Sequence, residues 1–410
     1  MIADVSRVRP VRTRGYWVAL IAVVLISASL RPGATSIGPV LAEILEGLGQ
    51  DATWGGLLAA MPGLCFALFG AFAVSFAVRV GLTYALWWGM VATAVGLALR
   101  PWTSNSLVFL GLTALAFAGM AVGNVLLPAY IKRRFHDQVP TLMAIYGSML
   151  AVGATLGSLL ALPLAEVAPG HWRGSLALWG VTAAVAGVPM LLIALREGSR
   201  KLGSRAHERG PSLLRSRHAV ALGIFFGVQS MHAYTQFGWT AQMFRDGGVD
   251  REHAGLLVSI LASLGIITGL LMPILVARVR DLRWVVITLG VLLVVGYLGI
   301  LYAPATASWL WAVSLGLSGA CFPLALSLIT ARTRDPHVTA RLSGFGQTIG
   351  YALAATGPLL VGVMLAATGG WTIPLWVLIA TSVVMVIAGL IASAPGYVDD
   401  ELSGSTAAGR

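Results

Sequence analysis

The sequence predicts an all-α membrane protein of twelve transmembrane helices in two six-helix halves. Its apolarity, the spacing of its apolar runs and the placement of its basic residues all point there. Of 410 residues, 57% are hydrophobic and 10% are charged, and the mean hydropathy is +0.84. A soluble domain carries about 25% charged residues, so lipid must be the solvent for most of this chain. Roughly 20 apolar residues cross the ~30 Å hydrocarbon layer as a helix. Spans are expected over 15–41, 53–78, 82–99, 105–131, 140–165, 173–195, 218–244, 253–277, 284–302, 306–331, 338–366 and 371–393. All must be helices, because an open strand edge cannot be satisfied in lipid. No sizeable soluble domain is left over.

Arg7, Arg9, Arg12 and Arg14 precede the first apolar run and mimic a signal peptide. That run continues to about Val40 without a convincing cleavage site, so it is read as an uncleaved span. With the N-terminus inside, 22 of the 27 basic residues fall in inside segments. Arg100, Arg173, Arg245 and Arg251 fall outside, and the remaining one is Arg31. This bias predicts both termini in the cytoplasm of a cell (inner) membrane protein. It also explains the net charge of +11 as topology, with no nucleic-acid partner.

Residues 1–195 are expected to form an N-terminal six-helix bundle and 218–393 a C-terminal one. A basic linker, 196–217, joins them, and 394–410 form a cytoplasmic tail. A faint repeat relates the halves. Pro169-Gly170-His171-Trp172-Arg173 precedes span six and Thr368-Gly369-Gly370-Trp371-Thr372 precedes span twelve. Repeated halves rocking about a midplane site are the mark of secondary transporters. The two cysteines, Cys65 and Cys321, lie in apolar runs and give neither a disulfide framework nor a metal spacing. Gly344-Phe345-Gly346-Gln347-Thr348-Ile349-Gly350 lacks the strand of a nucleotide loop and reads as helix packing. No cofactor or metal is expected.

None of the sixteen acidic residues lies in the middle of a span, so the buried carboxylate relay usual in pumps is missing. Against that blank stands Arg31, near the middle of span one. Such a charge costs at least ~2.5–3.5 kcal/mol on insertion scales. Glu43, on the same helix, is about 18 Å away at 1.5 Å per residue. Arg31 therefore needs water, backbone carbonyls or an incoming anion, and Pro32 should bend the helix beside it. A structural role bridging helix carbonyls, or snorkelling, is the alternative.

Span seven carries His232, the one histidine of seven far from a loop. It is a candidate for proton coupling or for anion binding when protonated; a neutral packing histidine fits equally. Gln229, Tyr234, Gln236 and Trp239 on the same span, Asn124 in span four, Tyr146 in span five, and Gln347 and Tyr351 in span eleven complete a candidate polar ring. Each alone fits interhelical packing.

These residues resemble the major facilitator superfamily and, more narrowly, its cyanate/nitroimidazole transporter family. The resemblance rests on Leu30-Arg31-Pro32 with Thr35-Ser36-Ile37-Gly38-Pro39; Gly123-Asn124-Val125-Leu126-Leu127-Pro128 with Ile131-Lys132-Arg133; Gln229-Ser230 with Tyr234 and Trp239; and Phe322-Pro323-Leu324-Ala325-Leu326 with Leu342-Ser343-Gly344, Gln347 and Gly350-Tyr351. There are departures. Ser29 stands where the family often has Asn, the loop after span two is reduced to Arg79-Val80-Gly81, and His232 is not expected at its position.

The resemblance implies transport of a small polar or anionic solute. With the stranded charge of Arg31, the leading expectation is a secondary transporter, monomeric, working by alternating access with Arg31 as the substrate-binding cation. The alternative is an efflux pump for small aromatic drugs or toxicants such as nitroimidazoles. A channel normally needs symmetric pore rings. An enzyme is not expected: Gly-x-Ser-x-Gly, His-Glu-x-x-His and paired intramembrane carboxylates are all missing.

Overall fold

A computed structural model of the chain describes residues 14–198 and 212–407. Arg7, Arg9 and Arg12, the linker residues Arg200, Lys201, Arg205 and Arg209, and Arg410 lie outside the described residues. Among the described residues every regular element is a helix. Eleven segments are long and apolar enough to cross a membrane. The twelfth span is Arg217–Asp246, 30 residues long and more polar than the rest. Its polarity has a structural cause. Twenty-two of its 30 residues are buried, so it meets protein on nearly every side and Gln229, Ser230, His232, Thr235 and Gln236 stay out of lipid.

The other spans begin and end within a few residues of the expected limits. Span one is the exception. It is not one helix but four pieces: Arg14–Ser29, Pro32–Thr35, a 3-10 turn at Gly38–Val40, and Leu41–Leu48. The break falls at Leu30–Arg31, where Pro32 has no N–H to continue the ladder. The span also runs seven residues past its expected end, to a left-handed cap at Gly49 (φ 63°). Span ten is broken too, into Ser308–Ser318 and Cys321–Ala331.

Side-chain caps start several helices. Asp51 accepts from the Trp54 N–H at 3.0 Å, Asn105 from the N–H groups of Leu107 and Val108, and Asp250 from His253 N–H at 2.9 Å. The repeated turns before spans six and twelve share a conformation: Gly170 and Gly369 adopt φ of 73° and 67°, a region that favours glycine. Leu68, Phe72, Val185, Ile287 and Ile387 are among the large apolar side chains left exposed for lipid.

The halves meet tightly at the end opposite the termini. Spans two and eleven pack where Gly56 abuts the Pro358 and Leu359 carbonyls. Glu43, in the extension of span one, pairs with Arg245 at 3.1 Å and Arg251 at 3.0 Å. At the other end the expected tail contains a helix, Val398–Ala407, strapped to the start of span seven. Its Glu401 accepts from Ser216 Oγ at 2.5 Å and Arg217 Nε at 3.0 Å, and lies 2.7 Å from His218 Nδ1.

Candidate functional site

The break in span one does two things. It frees backbone groups, and it places Arg31 where three spans converge. Span five closes against the break through small residues. Gly153 lies against the Ala28 carbonyl, the group that loses its helical partner to Pro32. Thr35 Oγ1 donates to the Ala154 carbonyl at 3.0 Å, and Ser158 Oγ donates to the Thr35 carbonyl at 3.2 Å. The Arg31 side chain is thereby fixed by a short, rigid turn rather than by a flexing helix.

Arg31 is half-buried, and part of its surface remains reachable. Its polar neighbours are phenols from three spans: Tyr234 of span seven, with which it makes a polar contact, Tyr351 of span eleven and Tyr146 of span five. The Phe66 ring of span two lies 5.9 Å from its guanidinium carbon, at the limit of cation–π range. Tyr146 donates to Asn124 Oδ1 at 3.0 Å, and the buried Asn124 amide nitrogen has no partner among the described residues. Phe66 stacks edge-on against Tyr351, which also meets Phe226. None of the ion pairs of the described residues involves Arg31.

The chemistry of this cluster is one-sided. It offers a fixed cation, hydroxyls that turn to donate or accept, a spare amide donor, and flat aromatic walls. Such a set suits a small planar group carrying negative charge or electron-rich oxygen atoms. Gln347 continues the polar line one turn from Tyr351, bonded to Ser343 at 3.0 Å; both are half-buried. In the other direction Thr35, Ser36, Ile37, Thr235 and Thr240 are all buried.

Arg31, Tyr146, Tyr234, Tyr351 and Asn124 thus come together as one cluster. The other expected residues do not join it. His232 is buried on the far side of span seven, its Nδ1 at 3.0 Å from the Tyr297 hydroxyl and its Nε2 at 3.4 Å from Thr381 Oγ1. Gln236, one turn on, also bonds Tyr297. The separation is helical geometry: His232 and Tyr234 are two residues, about 200°, apart around the helix. Gln229 turns back onto the Phe226 carbonyl and Ser230. Trp239 is buried, donates to the Pro358 carbonyl at 3.1 Å and stacks on Trp371.

Two residues escaped the sequence reading. Phe66 carries no signal beyond being one aromatic in an apolar run. Arg100, expected in an outside loop, is fully buried. It donates to the Gly33 carbonyl at 2.8 Å, two residues beyond Arg31, with Phe109 and Phe117 rings each 5.9 Å away. Its Nε and Nη1 have no partner. Among the described residues, no three His, Cys, Asp or Glu side chains gather as a metal site would need.

The chain matches the family model of the Major Facilitator Superfamily over residues 21–354. It is 33% identical to the 2-nitroimidazole transporter of Escherichia coli (strain K12), covering 92% of this chain and 95% of that protein. It is 27% identical to the cyanate transport protein CynX of the same organism, over 86% and 91%. In three dimensions it resembles the crystal structure of a bacterial homologue of the human lysosomal transporter Spinster, with TM-score 0.70, 16% identity, and 94% and 97% of the two chains covered. At that identity the likeness concerns the fold alone. The twelve helices, the paired halves and these relatives agree: the chain belongs to the Major Facilitator Superfamily, beside its cyanate and nitroimidazole transporters, and is a multi-pass membrane transporter.

Proposed function

We propose that the protein moves a small planar anion, or a neutral solute with electron-rich oxygens, across the cell (inner) membrane by alternating access. Arg31 is the substrate-binding cation. The observation that carries this reading is the half-buried guanidinium, set among three phenols, one aromatic ring and an amide, with no carboxylate of the described residues in an ion pair to it. A charge at that depth is costly unless something answers it, and an incoming anion answers it only when substrate is present. The basic-residue bias supports cytoplasmic termini, and the paired halves suit a monomer. This is transport, not catalysis.

Arg31→Gln keeps much of the side-chain volume and removes the charge. Uptake of a small planar anion such as a benzoate-like monocarboxylate into proteoliposomes should fall to background, while the purified variant stays monodisperse with an unchanged melting temperature. Wild-type rates in that variant would defeat the proposal. Counterflow of labelled solute by the wild type separates a carrier from a channel.

A second reading is efflux of small aromatic toxicants, nitroimidazoles among them. The aromatic wall of Phe66, Tyr351 and Phe226 favours it, as does the 33% identical relative. A nitro group presents two oxygens to a guanidinium much as a carboxylate does. Cells expressing the protein would then gain resistance to a nitroimidazole and lose it on Arg31→Gln.

A further inference from the structure

A recess of about 190 Å³ lies between the start of span three and the ends of spans four and six, at the end that carries the termini. One water needs roughly 10–15 Å³ of such space, so the recess admits a polar group much larger than a water. Its walls are Leu82, Thr83, Tyr130, Arg133, Arg134 and Glu197. Tyr130 is 2% exposed and its hydroxyl has no hydrogen-bond partner among the described residues. A buried phenol oxygen left unpaired is unusual and asks for a ligand or water. Arg134 is held by Glu197 through a long pair of 3.4 Å. Arg133 forms none of the ion pairs of the described residues. The recess therefore combines a free cation, a free hydroxyl and a net positive charge.

Its surroundings say where the ligand comes from. The apolar faces of spans three and six next to it are exposed, including Trp88, Val95, Val188, Leu192 and Leu195. Those faces meet acyl chains, and the recess sits at their polar end beside the basic run Lys132-Arg133-Arg134. Basic pockets between spans at this level hold lipid head groups, and Arg with a hydroxyl suits a phosphate.

We infer that this recess binds the phosphate of an anionic phospholipid head group. Arg133 pairs with the phosphate oxygens, the Tyr130 hydroxyl donates to them, and the acyl chains lie along spans three and six. Glu197 keeps Arg134 engaged and its carboxylate disfavours a free, doubly charged phosphate. The site is separate from Arg31, and its failure would leave the transport reading untouched.

Native mass spectrometry of the full-length protein in mild detergent tests this with phosphatidylglycerol, phosphatidylcholine and inorganic phosphate as separate probes. Wild type should retain phosphatidylglycerol, and neither phosphatidylcholine nor inorganic phosphate should displace it. Arg133→Gln should weaken retention about fivefold, the effect of one cation at an anionic surface. Tyr130→Phe removes one oxygen, keeps the ring packing, and should weaken retention as well; it decides the matter if Arg133→Gln folds poorly. Equal retention of phosphatidylglycerol by wild type and Tyr130→Phe would overturn the assignment. So would equal retention of phosphatidylcholine, or displacement by inorganic phosphate.

Discussion

Two guanidiniums flank the same break in span one, and they differ in what surrounds them. Arg100 is fully buried, anchored to the Gly33 carbonyl and enclosed by Phe109 and Phe117. Arg31, two residues from that carbonyl, keeps reachable surface and faces phenols that belong to the other half as well as its own. Neither has a carboxylate partner among the described residues. The difference teaches that a missing counter-ion alone does not single out a candidate binding cation; the proposal for Arg31 rests on its accessibility as well. Arg100 completes the fold of the break, and Arg31 presents the charge that the break makes available.

Swapping substitutions between the two residues is the sharpest way to break that contrast. Arg31→Ala is expected to cut transport by about 100-fold or more, the scale of losing a charge-assisted pair with bound substrate, about 3 kcal/mol. Its melting temperature should hardly move, since the side chain is only half-buried. Arg100→Ala should do the reverse, lowering stability by about 3 kcal/mol through the cavity it leaves and transport only in proportion to folded protein. Arg100→Met fills that cavity. There, relief of an unpaired buried charge offsets the lost hydrogen bond, and stability should change by less than about 1 kcal/mol. If Arg100→Met abolished transport while folding normally, the division of labour would be wrong.

The two faces of span seven extend the comparison to smaller effects. Tyr234→Phe removes a polar neighbour of Arg31 and should raise KM about fivefold, near 1 kcal/mol, with little change in Tm. His232→Ala acts on the opposite face, where Tyr297 and Thr381 already take both ring nitrogens. Melting temperature should fall and KM should stay, and the dependence of flux on an imposed pH gradient should match wild type. Loss of that gradient dependence in His232→Ala would restore His232 as the coupling residue.

What the sequence disclosed follows from which physics is local. Span positions, the two halves and the break at Pro32 depend on composition and on one missing N–H, so they were legible. So was Arg31, because a lone charge in an apolar run is visible without any fold. The polar ring was half legible. Tyr146, Tyr234, Tyr351 and Asn124 gather as expected, while His232 and Gln236 point elsewhere. Counting 100° per residue along span seven separates Tyr234 from His232, because residues at one depth need not share one direction. Which face met Arg31 still required the neighbouring spans. Phe66 and Arg100 were invisible for another reason. An aromatic in an apolar run and an arginine after a span end are ordinary until tertiary packing sets them beside the break. Trp172, which at a span end resembles an interfacial anchor, is 8% exposed and packs on Phe109 instead.

The weakest expected effect lies at the termini end, where Glu401 is paired rather than stranded. Burial pushes the Glu401 carboxyl pKa up, but hydrogen bonds from Ser216 and His218 outweigh it, and the net shift is downward. A carboxyl held lower in the folded state contributes stability above its unfolded pKa of about 4 and loses it as pH falls through the lower, folded value. The Val398–Ala407 helix should therefore stay docked at neutral pH and loosen only in acid well below the ordinary carboxylate range. Glu401→Gln mimics that acid state at pH 7, at a cost of about 1 kcal/mol once partial exposure is allowed for. Hydrogen exchange of 398–407 should quicken severalfold while the amides of span seven near Tyr234 keep their protection. If those amides quickened too, the strap and the Arg31 cluster would be mechanically one unit, and the isolation of Arg31 from the Glu401 pairs would no longer hold.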